Sequence, residues 1–123
     1  MQILIIDDDE DVRKMLCRAL QENNFEIFDA PNGVEGLHIL EMNPEIDVVI
    51  TDLIMPEKDG IETISAIKKM YSQTKIIAIS GGGKVGAESY LNLAQAMGAG
   101  RTLKKPFGIQ ELLEAVHELG KRI

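Results

Sequence analysis

Five short runs of β-type residues alternate along the chain with five segments whose apolar residues recur at helical spacing. The runs are Gln2–Ile6, Phe25–Asp29, Ile46–Thr51, Lys75–Ile79 and Arg101–Leu103. Three of them are almost wholly apolar and rich in Ile and Val, which is the pattern of strands covered on both faces. The helical signal is clearest near the two ends. Val12, Met15, Leu16 and Ala19 fall at i, i+3, i+4 and i+7, as do Ile109, Leu112, Leu113 and Val116. Asp9 suits the N-cap of the first helix, and Glu10 and Asp11 in its first turn complement the helix dipole. Asn32–Asn43 reads as a second helix stopped by Pro44. Gly60–Tyr71 reads as a third with Ile61, Ile64 and Ile67 inward, and Ala87–Met97 as a fourth ended by Gly98.

Strict alternation of strand and helix implies right-handed crossovers and a doubly wound α/β fold, a parallel sheet with helices on both faces. No repeat, low-complexity tract or linker interrupts it, so residues 1–123 read as a single domain. Sheets of this kind bind ligands beyond the carboxyl ends of their strands. The residues there are Asp7–Asp8–Asp9, Ala30–Pro31, Asp52–Leu53–Ile54, Ser80–Gly81 and Lys104–Lys105–Pro106.

Composition narrows the function. The formal charge is −7, and the basic residues occur only in short groups such as Lys68–Lys69 and Lys104–Lys105. That argues against non-specific nucleic-acid binding, which needs Lys and Arg to neutralise phosphates. Any control of genes would run through another protein. The lone Cys17 cannot form a disulfide within the chain, which fits a reducing cytoplasm, and its helical surroundings suggest a packed thiol. Met1 leads at once into a strand-like run, leaving no room for a signal peptide. The longest apolar runs, Ile3–Ile6 and Ile76–Ile79, cannot span a bilayer.

Asp7 and Asp8 end the first strand and Asp52 ends the third. Side by side, their carboxylates repel by about 4 kcal/mol per pair at ~4 Å and an effective dielectric near 20. Such a cluster calls for protons, a counter-ion or a metal. Oxygen-only ligands in small number favour a hard cation that keeps its waters, Mg²⁺ better than Ca²⁺. Helix capping explains Asp9, but it leaves the repulsion between Asp7, Asp8 and Asp52 unrelieved. A lysine from the fifth strand adds a fixed positive charge. Ser80 adds a hydroxyl, and Gly81 adds a backbone N–H with no side chain in the way. This set suits a phosphoryl group in transfer, which asks for positioning and electrostatic stabilisation. A carboxylate nucleophile needs no base, so no histidine is required. His38 and His117 read as surface residues of helices. The six methionines read as core filler or helix edge, and Phe107 as the anchor of the last helix.

From first strand to last helix the chain resembles the receiver domains of two-component response regulators. The resemblance rests on Ile-Ile-Asp-Asp at 5–8, Asp-Leu-Ile-Met-Pro-Glu-Lys-Asp-Gly at 52–60, Ser80, and Lys-Pro-Phe at 105–107. It implies a flavodoxin-like (βα)5 fold with strand order 2-1-3-4-5, and a phosphoryl group accepted on Asp52 from a sensor histidine kinase or phosphotransfer protein. Asp8 and Asp52 match the direct Mg²⁺ ligands, the Ile54 carbonyl completes the protein's share, and Asp7 acts mostly through water. Ser80 matches the switch hydroxyl and Lys105, directly before Pro106, the motif's lysine; strand alternation points Lys104 to the other face. Met55–Pro56 and Gly60 fit the tight turn after the acceptor. Enzymatic activity would be limited to self-phosphorylation and slow self-dephosphorylation. A downstream protein, and a phosphorylation-dependent homodimer, are the partners the resemblance allows. No output domain follows the last helix, which leaves a stand-alone regulator or a piece of a longer protein.

Two positions depart from the family pattern. Thr102 occupies the fifth-strand switch position usually held by Tyr or Phe, and is too small to report an aromatic swing. Gly81-Gly82-Gly83-Lys84-Val85-Gly86 makes an unusually loose loop after the fourth strand. Its match to G-x-G-x-x-G lacks the βαβ context and the following acid of a dinucleotide site, and Val85 stands where a P-loop needs Ser or Thr. A mobile loop closing its amides over a phosphoryl group is the better reading. Two other functions compete. A haloacid-dehalogenase-type phosphatase would use Asp7 as nucleophile and Asp9 as acid/base, but Asp11 stands where that motif has Thr or Val. A receiver-like scaffold would bind partners without being phosphorylated.

Overall fold

The computed structural model describes residues 1–53, 60–81 and 87–120, with backbone alone over 87–91. The elements are β1 (Gln2–Ile6), α1 (Glu10–Gln21), β2 (Glu26–Ala30), α2 (Gly33–Met42), β3 (Val48–Asp52), α3 (Gly60–Met70), β4 (Lys75–Ser80), α4 (Ala87–Met97), β5 (Arg101–Lys104) and α5 (Ile109–Gly120). All strands pair in parallel, in the order β2-β1-β3-β4-β5. This is the expected doubly wound, flavodoxin-like sheet.

The first four strands carry apolar residues on both faces, so each face of the sheet needs a helical layer. Ile3 and Ile5 of β1, Val48 and Ile50 of β3, and Ile77 and Ile79 of β4 pack with Leu16 and Leu20 of α1 and Leu112, Val116 and Leu119 of α5. The alternate residues Leu4, Ile6, Val49, Ile76 and Ala78 pack with Leu40 of α2, Ile64 and Ile67 of α3 and Ala94 of α4. A one-residue slip of any central strand would exchange these two sets.

Strand pairing adjusts the ends expected from the residue pattern. β3 starts at Val48, because Val48 is the first residue paired with β1 (to Ile3), while Ile46 belongs to a turn closed by its N–H on the Asn43 carbonyl. β4 and β5 run to Ser80 and Lys104 because these two pair. Asp9 caps α1, accepting from the N–H groups of Asp11 and Val12, and Asn32 caps α2 by accepting from Glu35 N–H.

Two stripe residues are not buried as their spacing suggests. Met15 is 55% exposed and Ile109 36%. At about 100° per residue, the seam through Leu16 and Leu20 leaves Met15 roughly 120° away. Ile109 sits in the first turn of α5, and the seam of that helix runs through Leu112, Ala115, Val116 and Leu119. Ile61 is half-buried against the core beside the fully buried Ile64 and Ile67. Cys17 is half-buried; burial, then Asp29, pushes its thiol up, against the pull of Arg13. His38 and His117 are exposed, and Phe107 packs against the α1/α5 side of the core. No described helix is long and apolar enough to cross a membrane.

Candidate functional site

The sheet register assembles the site. Ile6 pairs with Thr51 across β1 and β3, so the next residues, Asp7 and Asp52, end up side by side. These two strands flank the point where the strand order reverses, and there the helices diverge and leave a crevice. Asp7 N–H continues the β1–β2 ladder to the Ala30 carbonyl at 3.1 Å, and Leu53 N–H continues β3–β4 to the Ile79 carbonyl at 2.9 Å. Both acids are thus anchored by the backbone of neighbouring strands.

Asp7 is 1% and Asp52 7% exposed, whereas Asp8 lies on an exposed bend. One carboxylate oxygen from each of the three lies within 4.8 Å of the others. Asp7 Oδ1 accepts from Asp9 N–H at 2.9 Å. Its Oδ2 is buried with no hydrogen-bond partner among the described residues. Burial pushes the Asp7 carboxyl above its ordinary range; the Asp9 N–H and Lys105 oppose this, while Asp52 and Asp8 add to it.

The lysine that enters the site is Lys105. Its ammonium lies 3.5 Å from Asp52 Oδ2 and 3.7 Å from Asp7 Oδ2, and its own N–H bonds the Ser80 carbonyl at 2.8 Å. Lys104 is exposed, as strand alternation implies. Ser80 ends β4, one residue past the Ile79 that pairs with Asp52, and its Oγ is buried without a partner among the described residues. Gly81 is half-buried, and a Cβ there would meet nothing within 4 Å among the described residues. The described residues around it therefore do not require a glycine. Thr102 is half-buried and lines an open groove of about 710 Å³ with Arg101, Lys104, Lys105, Pro106 and Glu111. The Ile54 carbonyl, Met55–Pro56 and the 82–86 glycine loop lie outside the described residues. At Gly60 a Cβ would fall 2.3 Å from the Asp52 carbonyl oxygen, so the start of α3 presses directly on the backbone of Asp52.

One contact has no motif to announce it. Arg13 Nη1 donates to the Asp7 carbonyl at 2.8 Å, and its Nε donates to Asp29 Oδ2 at 2.8 Å. The available signal is that Arg13 shares i, i+3, i+7 spacing with the buried Leu16 and Leu20, which places a charge on the inner face of α1. Asp9, by contrast, is engaged as a helix cap, which disfavours the phosphatase assignment that needs it as acid/base.

The family model for the response regulator receiver domain matches residues 3–117. The chain is 36% identical over 120 residues to the chemotaxis protein CheY of Halobacterium salinarum, covering 96% of this chain and 95% of that protein. It is 31% identical over 118 residues to the sensor kinase CckA of Brucella abortus, covering 95% of this chain but 12% of that protein. Among solved structures, a response regulator receiver domain protein from Clostridium thermocellum superposes with a TM-score of 0.91 at 33% identity, covering 98% of this chain and 94% of that one.

Proposed function

The chain belongs to the response regulator receiver domain family of two-component phosphorelay signalling, and on that premise we propose that Asp52 is its phosphoacceptor, served by Mg²⁺ at Asp7, Asp8 and Asp52. We read residues 1–123 as one receiver domain. The observation that carries the proposal is the buried Oδ2 of Asp7, which accepts no hydrogen bond among the described residues and is set with oxygens of Asp8 and Asp52 within 4.8 Å. An all-oxygen set with a buried oxygen that accepts no hydrogen bond among the described residues fits a hard cation. Bound there, Mg²⁺ would neutralise the carboxylates and the phosphoryl oxygens.

The chain's own residues do the rest. An Asp52 carboxylate oxygen forms the O–P bond while the P–N bond of a phosphohistidine donor breaks and the imidazole leaves. Asp52 needs no base because its carboxylate already carries the lone pair. The Lys105 ammonium, 3.5 Å from Asp52 Oδ2, is placed to meet charge building on the phosphoryl group. The Ser80 hydroxyl is free to donate to a phosphoryl oxygen, and the Gly81 N–H is the second candidate donor. The Ile54 carbonyl completes the metal's protein ligands in this reading. Thr102 keeps the switch position with too little volume to swing, so the signal leaves Ser80 by another route. Catalysis is confined to the chain's own phosphorylation and slow dephosphorylation. The partners are a sensor histidine kinase or phosphotransfer protein upstream, and downstream a protein target or a second phosphorylated copy.

The test is intact mass after incubation with acetyl phosphate and Mg²⁺. A phosphoryl adduct in the parent chain that is absent in Asp52→Asn supports the proposal. Rapid turnover that depends on Asp7 would favour the phosphatase, and no adduct in any form would leave the unphosphorylated scaffold.

A further inference from the structure

Asp7 is held at three points. Its N–H is bound to Ala30, its carbonyl to Arg13 and its Oδ1 to Asp9 N–H, which leaves Oδ2 as the one oxygen turned to the site. Of these three contacts, only the one from Arg13 comes from a side chain. The Arg13 side chain is 15% exposed, and its guanidinium is itself held on its other edge by Asp29 of β2. We infer that Arg13 is a positioning residue for divalent-cation binding: it clamps the Asp7–Asp8 peptide between α1 and β2 and so sets the direction in which both carboxylates leave the backbone. The inference rests on the reading above that these carboxylates hold a cation.

The clamp has work to do because the cluster opposes its own geometry. Three carboxylates within 4.8 Å repel one another, and Asp8 sits on an exposed bend with freedom to turn outward. Fixing the carbonyl of residue 7 fixes the plane of the peptide that carries residue 8. Arginine suits the task because its rigid fork donates in two directions at once, to a carbonyl and to a carboxylate, whereas an ammonium is a single point. Contacts of this kind, one shell removed from a metal, are worth about 10–100-fold in metal affinity.

Charge alone predicts the opposite sign. A cation near the site disfavours a second cation, so deleting Arg13 for its charge would tighten Mg²⁺ binding. Deleting it as a clamp would loosen binding. Isothermal titration of the full chain with Mg²⁺, after chelator treatment, separates the two. For Arg13→Met the dissociation constant is expected to rise about tenfold. Arg13→Lys, which keeps the charge and loses the fork, is expected to fall between Arg13→Met and the parent chain. At saturating Mg²⁺ both variants should recover the parent rate of adduct formation with acetyl phosphate. An unchanged or lower dissociation constant in Arg13→Met overturns the inference, even if its melting temperature drops. Should Arg13→Met fail to fold, parent-like affinity in Arg13→Lys overturns it equally. A parent chain that takes up no Mg²⁺ refutes the cation site itself, and the clamp with it.

Discussion

Replacing Asp7 by asparagine should stabilise the metal-free protein, although Asp7 is among the most buried polar residues and is paired with Lys105. An oxygen of Asp52 lies within 4.8 Å of one on Asp7, a repulsion of at least about 3.5 kcal/mol at an effective dielectric near 20. The repulsion from exposed Asp8 is screened by solvent to about 1 kcal/mol or less. Against these stands the Lys105 ammonium at 3.7 Å, an attraction of about 4.5 kcal/mol on the same scale. The pairwise charges therefore nearly cancel, and the residue is left with the cost of burying an ionised carboxylate, several kcal/mol after relaxation. The Asp9 N–H offsets part of that cost. Asparagine keeps an oxygen for this bond and removes the charge. The expected gain is about 1–2 kcal/mol, or ~4–8 °C in melting temperature for a domain of this size.

Thermal unfolding of Asp7→Asn and the parent chain in EDTA at pH 7 measures this gain directly. Added Mg²⁺ should stabilise the parent, by about 1.4 kcal/mol at ten times its dissociation constant, and should stabilise the variant far less, so the gap closes. Acidification should close it as well. Folded Asp7 holds its proton to higher pH than the unfolded chain, whose ordinary value is 3.8. Asp7's contribution to parent stability therefore falls as pH rises from below 3.8 through the raised value, a contribution the asparagine variant lacks. A variant less stable than the parent in EDTA, a gap that widens on acidification, or equal stabilisation of both by Mg²⁺ would refute the reasoning.

Three further outcomes can be checked by urea unfolding. Gly60→Ala should cost about 1–3 kcal/mol, since its Cβ would lie 2.3 Å from the Asp52 carbonyl oxygen and 2.5 Å from Leu53 Cα, backbone atoms that cannot swing aside. The same variant should slow adduct formation on Asp52; parent-like stability and rate would contradict that contact. Gly98→Ala should cost about 1–2 kcal/mol, because φ is +122° and the new Cβ would sit 2.7 Å from Lys68 Cγ. Lys68 is the stem that would have to yield, and its ammonium is tied to the Ser72 and Thr74 carbonyls. Asp9→Ala should cost about 1 kcal/mol by removing the cap that accepts from Asp11 and Val12 N–H; a neutral result would mean that solvent satisfies those groups equally well.

The elements and the acids at the strand ends were legible because the evidence for them is local. An Ile- and Val-rich run bounded by polar residues marks a strand, and the residue just past it marks the rim, whichever neighbours the strand acquires. Lys105 could be preferred to Lys104 on the same local ground, since adjacent residues of a strand face opposite ways. Helix burial was less legible at Met15, where apolar spacing alone does not say which part of a broad stripe meets the sheet.

The tertiary structure decided what depends on register and on neighbours distant in sequence. Pairing of Ile6 with Thr51 brings Asp7 beside Asp52 and leaves Asp7 Oδ2 buried without a hydrogen bond among the described residues. The Arg13 bridge from α1 to the Asp7 carbonyl and to Asp29 has no motif, because its partners are a backbone atom and an acid on another strand. Residue type and spacing determined which groups stand at the rim. The way the strands pair determined how far apart those groups are, and Coulomb energy and hydrogen bonding vary with that separation.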